Sequence, residues 1–276
     1  MKRLLVSILI VCALGGCRRE APAQGTPAAV DPQQPAAQVD PTAEAVVLED
    51  VVETDPRYII GITWDDDADR YPALARELKA YADAARAEVM QAVDALEPGA
   101  SAMYDLALEF KVLTDTPEVF AVAADGGSYT GGAHGTPLIA RFVWLPAEER
   151  LLTPAELVPD TDAWHEISAY VREQLHAALS LRVDADELEP AERARVMQSA
   201  GRMIDEGTAP EPENFAQFEP VNGVDGRLAG LRFVFPPYQV GPYSDGVQSV
   251  EVPAAVLLPH VAPAYRSLFS IAAPAQ

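Results

Sequence analysis

Cysteine is nearly absent from this chain: two occur in 276 residues. Cys12 sits inside an apolar N-terminal run and Cys17 just after it, so the remaining residues contain none. No disulfide framework holds this fold, and its stability has to come from a core. About 210 residues beyond the N-terminal segments suffice for one large domain or two small ones. Basic charge is also scarce: 20 Lys and Arg face 42 Asp and Glu, a formal charge of −22. That field repels nucleic acid and anionic headgroups, attracts basic proteins, and keeps a chain soluble. Histidine numbers four. His165 and His176 would share a helix face, but eleven residues rise about 16 Å, too far for a common ion. No His-Glu-x-x-His occurs, so no metal and no cofactor is expected. Long apolar runs are missing too. Residues 4–14 are too few to cross a bilayer, and no later stretch approaches a span.

The start of the chain carries the sharpest signal. Met1-Lys2-Arg3 precedes the apolar run, and Leu14-Gly15-Gly16-Cys17 closes it. A basic start, a short apolar stretch and small residues make a secretory signal, residues 1–16. Its ending resembles the lipobox of bacterial lipoproteins. The resemblance implies a mature chain that begins at an acylated Cys17 and is tethered to a membrane. Arg18 stands where aspartate would resemble an inner-membrane retention signal. In a two-membrane bacterium this leans towards the outer membrane, facing the periplasm. Residues 17–56 then read as an anchored, disordered spacer rich in Ala, Pro, Gln and acids, as in Pro32-Gln33-Gln34-Pro35-Ala36-Ala37-Gln38. A flexible coil of that length reaches roughly 35 Å.

Structure is expected from residue 58. Residues 58–64 read as a strand and 65–69 as a turn. Leu74, Leu78, Tyr81, Ala85, Val89, Ala92 and Leu96 recur at helical spacing, so 72–96 is an amphipathic helix stopped by Glu97-Pro98-Gly99. In residues 104–112 apolar side chains alternate with Asp105, Ala107, Glu109 and Lys111, giving one buried and one wet face. Residues 118–124 and 138–145 supply two more strands, with antiparallel pairing through short turns the simplest arrangement. Helices are expected at 163–179 and 191–204 and strands at 228–235 and 247–252. Pro253, Pro259 and Pro263 break the C-terminus. Without a repeating βαβ rhythm the fold class is α+β: an antiparallel sheet with packed helices, in two small subdomains, 57–146 and 147–276.

Two glycine-rich stretches stand out. They are Ser128-Tyr129-Thr130-Gly131-Gly132-Ala133-His134-Gly135 and Phe235-Pro236-Pro237-Tyr238-Gln239-Val240-Gly241-Pro242-Tyr243-Ser244-Asp245-Gly246. Each looks like a turn that needs positive φ, bordered by aromatic or imidazole side chains. Together, in this order, they resemble a family of exported bacterial domains found in the extracellular part of a lysozyme-sensing anti-sigma factor and the N-terminal part of a peptidoglycan deacetylase. The resemblance covers roughly residues 57–268. It implies a sensor-like envelope module that binds lysozyme or cell-wall material. Neither a sigma-binding segment nor a deacetylase domain is read in these 276 residues, so those activities are not expected to carry over.

The candidate binding residues are therefore Tyr129, Gly131, Gly132, His134, Tyr238 and Tyr243. His134 is either a turn-borne imidazole that binds or switches or a fold-stabilising histidine that hydrogen-bonds a neighbouring strand. The tyrosines either form an aromatic surface for sugar or protein or cover the core. Other chemistries find less support. Asp65, Asp67 and Asp69 have calcium-loop spacing, but Arg70 replaces the glycine and Arg76 the closing acid. Acids there are expected to serve the dipole of the following helix. Gly126-Gly127-Ser128-Tyr129-Thr130 misses the nucleophile-elbow pattern at its last position. The expected function is a lipid-anchored module that binds a basic protein such as lysozyme, or peptidoglycan. The alternatives are a peptidoglycan-modifying enzyme using His134 and an envelope scaffold without a small ligand.

Overall fold

A computed structural model describes residues 46–274, apart from 98, 100, 101, 187 and 272. The expected signal, Cys17 and most of the expected spacer lie outside the described residues. The chain first lays down six strands. They are β1 (Val51–Asp55), β2 (Tyr58–Trp64), β3 (Tyr104–Asp115), β4 (Phe120–Tyr129), β5 (Thr136–Leu145) and β6 (Arg150–Leu151), paired in that order in one sheet. Helix α1 (Pro72–Asp94) crosses between β2 and β3. Then follow α2 (Pro154–Leu157), α3 (Ala163–Ala185) and α4 (Pro190–Gly207). A three-stranded sheet of β7 (Phe218–Asn222), β8 (Leu228–Phe235) and β9 (Gln248–Pro253) and the short α5 (Ala254–Leu257) complete it. The class is mixed α+β, and no helix among the described residues is long and apolar enough to cross a membrane.

The core follows the sequence periods. Leu74, Leu78, Ala82, Ala85, Val89 and Val93 face the sheet from α1. They meet Ile60 and Ile62 of β2, Leu106, Leu108 and Phe110 of β3, Val122 of β4 and Phe142 of β5. A second cluster takes the opposite face of β4 and β5 through Ala121 and Val143. It joins them to Trp164, Ile167 and Val171 of α3 and to Phe233 and Phe235 of β8. Residues 120–124 are thus buried on both faces, which is why β4 reads as an unbroken apolar run. The expected boundary at 146 falls in the hairpin where β5 pairs with β6.

Three local expectations need correction. The sheet is not wholly antiparallel: β2 and β3 are parallel, from Tyr58 beside Tyr104 to Trp64 beside Phe110. A helix-length crossover is what parallel neighbours require, and α1 supplies it. The spacer does not run to 56, because 51–55 pair antiparallel with β2 as an edge strand. Composition averaged over 17–56 hid Val51, Val52 and Thr54, whose branched side chains suit a strand. Arg86 of α1 holds this strand with two 2.9 Å hydrogen bonds to Glu53. Finally, none of the acids before α1 caps it: its N-cap is Tyr71, with no side-chain cap bond, and its first turn contains no acid. Asp65 instead accepts the Val112 N–H (3.2 Å), beside the register shift between Val112 and Thr114. Asp67 pairs with Arg70 at 3.0 Å.

Candidate functional site

The β4–β5 hairpin positions the first glycine-rich stretch. Gly131 (φ 101°) and Gly132 (φ 97°) turn the chain in a region closed to most side chains. The Tyr129 hydroxyl donates to the Gly132 carbonyl at 3.1 Å and ties the turn to the strand end. The second stretch is the loop between β8 and β9. Gln239 anchors it, donating to the Gly207 carbonyl (3.0 Å) and the Asn214 carbonyl (2.8 Å). Arg182 of α3 holds its other end through Asp245 at 2.6 Å. Tyr238 adopts φ 74°, unusual for a residue with a side chain, and its N–H donates to the Gly241 carbonyl (2.9 Å). Backbone strain of this kind persists only where surrounding contacts hold it.

The two stretches meet. The His134 imidazole stacks on Tyr243 with centroids 4.7 Å apart and planes 26° apart. Tyr243 in turn faces Tyr238 at 5.6 Å and 37°. Three rings from positions about a hundred residues apart form one ladder, with Tyr238 56% exposed at its end. The ring packs on a loop of the second sheet, where a hydrogen bond to a neighbouring strand was one of the two expectations. Gly135 lets the hairpin close tightly, since a Cβ there would sit 3.0 Å from the Ser128 carbonyl oxygen of the facing strand.

Beside the ladder lies an open cleft of about 470 Å³. Its floor is the outer face of the six-stranded sheet, at Asp105, Ala107, Gly127 and Pro137. Its wall is the β8–β9 loop, at Pro237, Tyr243, Gly246 and Val247. Tyr129 borders it beside Asp105, its direct cross-strand neighbour. Asp105 and Glu109 are exposed and, among the described residues, enter no ion pair. Asp125 is committed: Arg141 donates to it (2.9 Å) and to Glu219 of β7 (2.8 Å). Arg232 of β8 also donates to Glu219, at 2.7 Å. This ion-pair network, with Arg141 and Glu219 buried, joins the two sheets at the cleft's edge.

Sequence reasoning singled out the three residues of the ladder without their stacking, and it missed the floor. The wet face of β3 was legible from alternation. That Gly127 and Pro137 lie beside Ala107 on neighbouring strands depends on register. Ser128, considered as a nucleophile, is buried and shares the sheet face of Leu106, opposite to Tyr129. His134 pairs with no carboxylate among the described residues, and no group of three His, Cys, Asp or Glu there is placed to hold a metal ion.

These features define an α+β module of two sheets, with an aromatic ladder and an open cleft where its glycine-rich turns meet. Residues 156–255 match the model of a family described as a protein of unknown function, DUF3298. That match contains the Tyr238–Tyr243 loop and leaves the β4–β5 hairpin outside it. Two crystal structures of DUF3298 family members share the fold. The Bacteroides fragilis protein has a TM-score of 0.50 at 15% identity, over 79% of this chain and 93% of that one. The Pseudomonas aeruginosa protein has a TM-score of 0.53 at 17% identity, over 83% and 96%. No curated protein matches the chain.

Proposed function

We propose that this chain is a lipid-anchored envelope module that binds a basic protein, lysozyme being the case the sequence resemblance suggests. One observation carries the reading: a three-ring ladder meets, through Tyr243, an open cleft that bears Asp105, on a chain of charge −22. Ring faces attract ammonium and guanidinium groups, by about 0.5–1 kcal/mol each at exposed sites. The unpaired Asp105 and Glu109 add charge attraction, and the long-range field speeds encounter with a cationic partner. A tether at Cys17, facing the periplasm from the outer membrane, keeps the module where such partners arrive. Cell-wall glycan is the competing ligand, because sugar rings also stack on tyrosine. A catalytic use of His134 has less support, since the neighbour of its ring is Tyr243 rather than a carboxylate. A scaffold role would instead give one stoichiometric envelope partner on purification.

The test is binding of the full chain in detergent micelles to lysozyme and, separately, to peptidoglycan fragments, at two salt concentrations. Saturable lysozyme binding whose association rate falls with salt is expected. Binding to neither ligand refutes the reading, and binding to peptidoglycan alone replaces its partner.

A further inference from the structure

Gly61 sits in the middle of β2, between the buried Ile60 and Ile62, and nothing among the described residues requires it to be glycine. A Cβ built there meets no atom of the described residues within 4 Å, and its φ is not in the left-handed region. Glycine in a strand interior weakens the strand; it occurs at bulges, at tight bends and where a ligand or another backbone approaches closely, and the pairing of Gly61 is regular on both sides. Register extends the point. Gly61 pairs with Ala107, Ala107 with Gly127, and Gly127 with Pro137. Four adjacent strands thus place their smallest or flattest residue in one row on the outer face. The row is a smooth trough running across the strands, about 14 Å long at the usual strand spacing. It continues the floor of the cleft out to β2. The exposed apolar side chains Val52 and Ile59 stand at its open end. Tyr243 stands at the other, in the cleft wall.

The rims carry charge. Asp105 and Glu109 flank Ala107 along β3, about 13 Å apart. Of the cations on this face, Arg141 is spent on Asp125 and Glu219, and Lys111 lies one step beyond Glu109, off the trough. A smooth apolar floor between two unpaired carboxylates complements a polypeptide that lies flat and carries lysine or arginine.

We infer that the trough Gly61–Ala107–Gly127–Pro137 is the docking surface for an extended segment of a basic protein. The segment crosses the strands with its backbone against the trough and its cationic side chains on Asp105 and Glu109. About four residues of extended chain fill the length. This inference rests on the basic-protein reading of the neighbouring cleft and adds where and how the partner lies.

The test fills the trough without disturbing the fold. Gly61→Val adds a side chain in open space at a position that favours branched residues. Ala107→Leu fills the centre. Lysozyme and poly-lysine are the probes, with peptidoglycan fragments as a third arm, all against the full chain in micelles. Each filled variant is expected to bind both basic probes at least tenfold more weakly with an unchanged or raised Tm. Asp105→Asn with Glu109→Gln is expected to weaken binding and flatten its salt dependence. If the unaltered chain binds lysozyme and both filled variants bind it equally well, the trough inference fails and the reading stands. If the unaltered chain binds neither basic probe, the reading fails and takes the inference with it. If filling the trough abolishes peptidoglycan binding alone, the occupant is a glycan and the basic segment is overturned.

Discussion

Glu219→Gln tests the joint between the two sheets. The Glu219 carboxylate accepts from Arg141 at 2.8 Å and from Arg232 at 2.7 Å. The Arg141 and Glu219 side chains are only 7% and 9% exposed. The glutamine keeps the shape and removes the charge, which leaves the Arg141 guanidinium buried. Removing one member of a buried pair costs about 3–5 kcal/mol. Two features lower this. Arg141 still donates to Asp125, and the new amide oxygen still accepts one hydrogen bond. Arg232 is 41% exposed and retains Glu251, so its loss is small. The expected destabilisation is about 2–3 kcal/mol. In a domain of this size that is a fall in Tm of roughly 5–10 °C. Urea unfolding followed by circular dichroism gives the free energy, and a double-mutant cycle with Arg141→Met gives the coupling. A coupling of at least about 1 kcal/mol is expected for groups in direct contact. A loss below about 0.5 kcal/mol, additive with Arg141→Met, would refute the claim that this pair locks the sheets together.

Two glycines in one sheet should respond oppositely. Gly61→Val should stabilise by about 0.5–1 kcal/mol, because the strand loses a flexible residue at no steric cost. Gly126→Ala should destabilise by about 2–4 kcal/mol, because its Cβ would overlap the Ala107 carbonyl oxygen and press on the Leu108 Cα, neither of which can swing away. Equal effects in urea unfolding would contradict the pairing of Gly61 with Ala107 and of Gly126 with Leu108. The Arg86 guanidinium, hydrogen-bonded to Glu53, holds that carboxyl below its ordinary value of 4.5. A depressed carboxylate stabilises the fold above its unfolded value and loses that contribution as pH falls through its lower folded value. Glu53→Gln should therefore shallow the acid limb of the stability curve below about pH 4.5 and leave its slope near neutrality unchanged, with under about 1 kcal/mol lost for so exposed a pair. An unchanged acid limb would detach β1 from α1.

The partition between sequence and tertiary structure is visible residue by residue. Helical spacing of Leu74, Leu78, Ala85 and Val89 and two-residue alternation along β3 are local periodicities, and each element formed as they require. The positive φ of Gly131, Gly132 and Gly246 was legible for the same reason, since side-chain sterics act within one residue. Long-range pairing has no such local signature. The branched residues of 51–55 suit a strand, but nothing in them names β2 as the partner, and nothing in 58–64 shows a parallel partner until α1 has turned the chain. His134 and Tyr243 were each conspicuous in sequence, yet only the docking of the hairpin on the β8–β9 loop makes them one stack. Gly61, Ala107, Gly127 and Pro137 were inconspicuous one at a time. They become a trough because register aligns them, and register is settled by the burial of the opposite face, where a one-residue slip would turn Ile60 and Leu106 out to water.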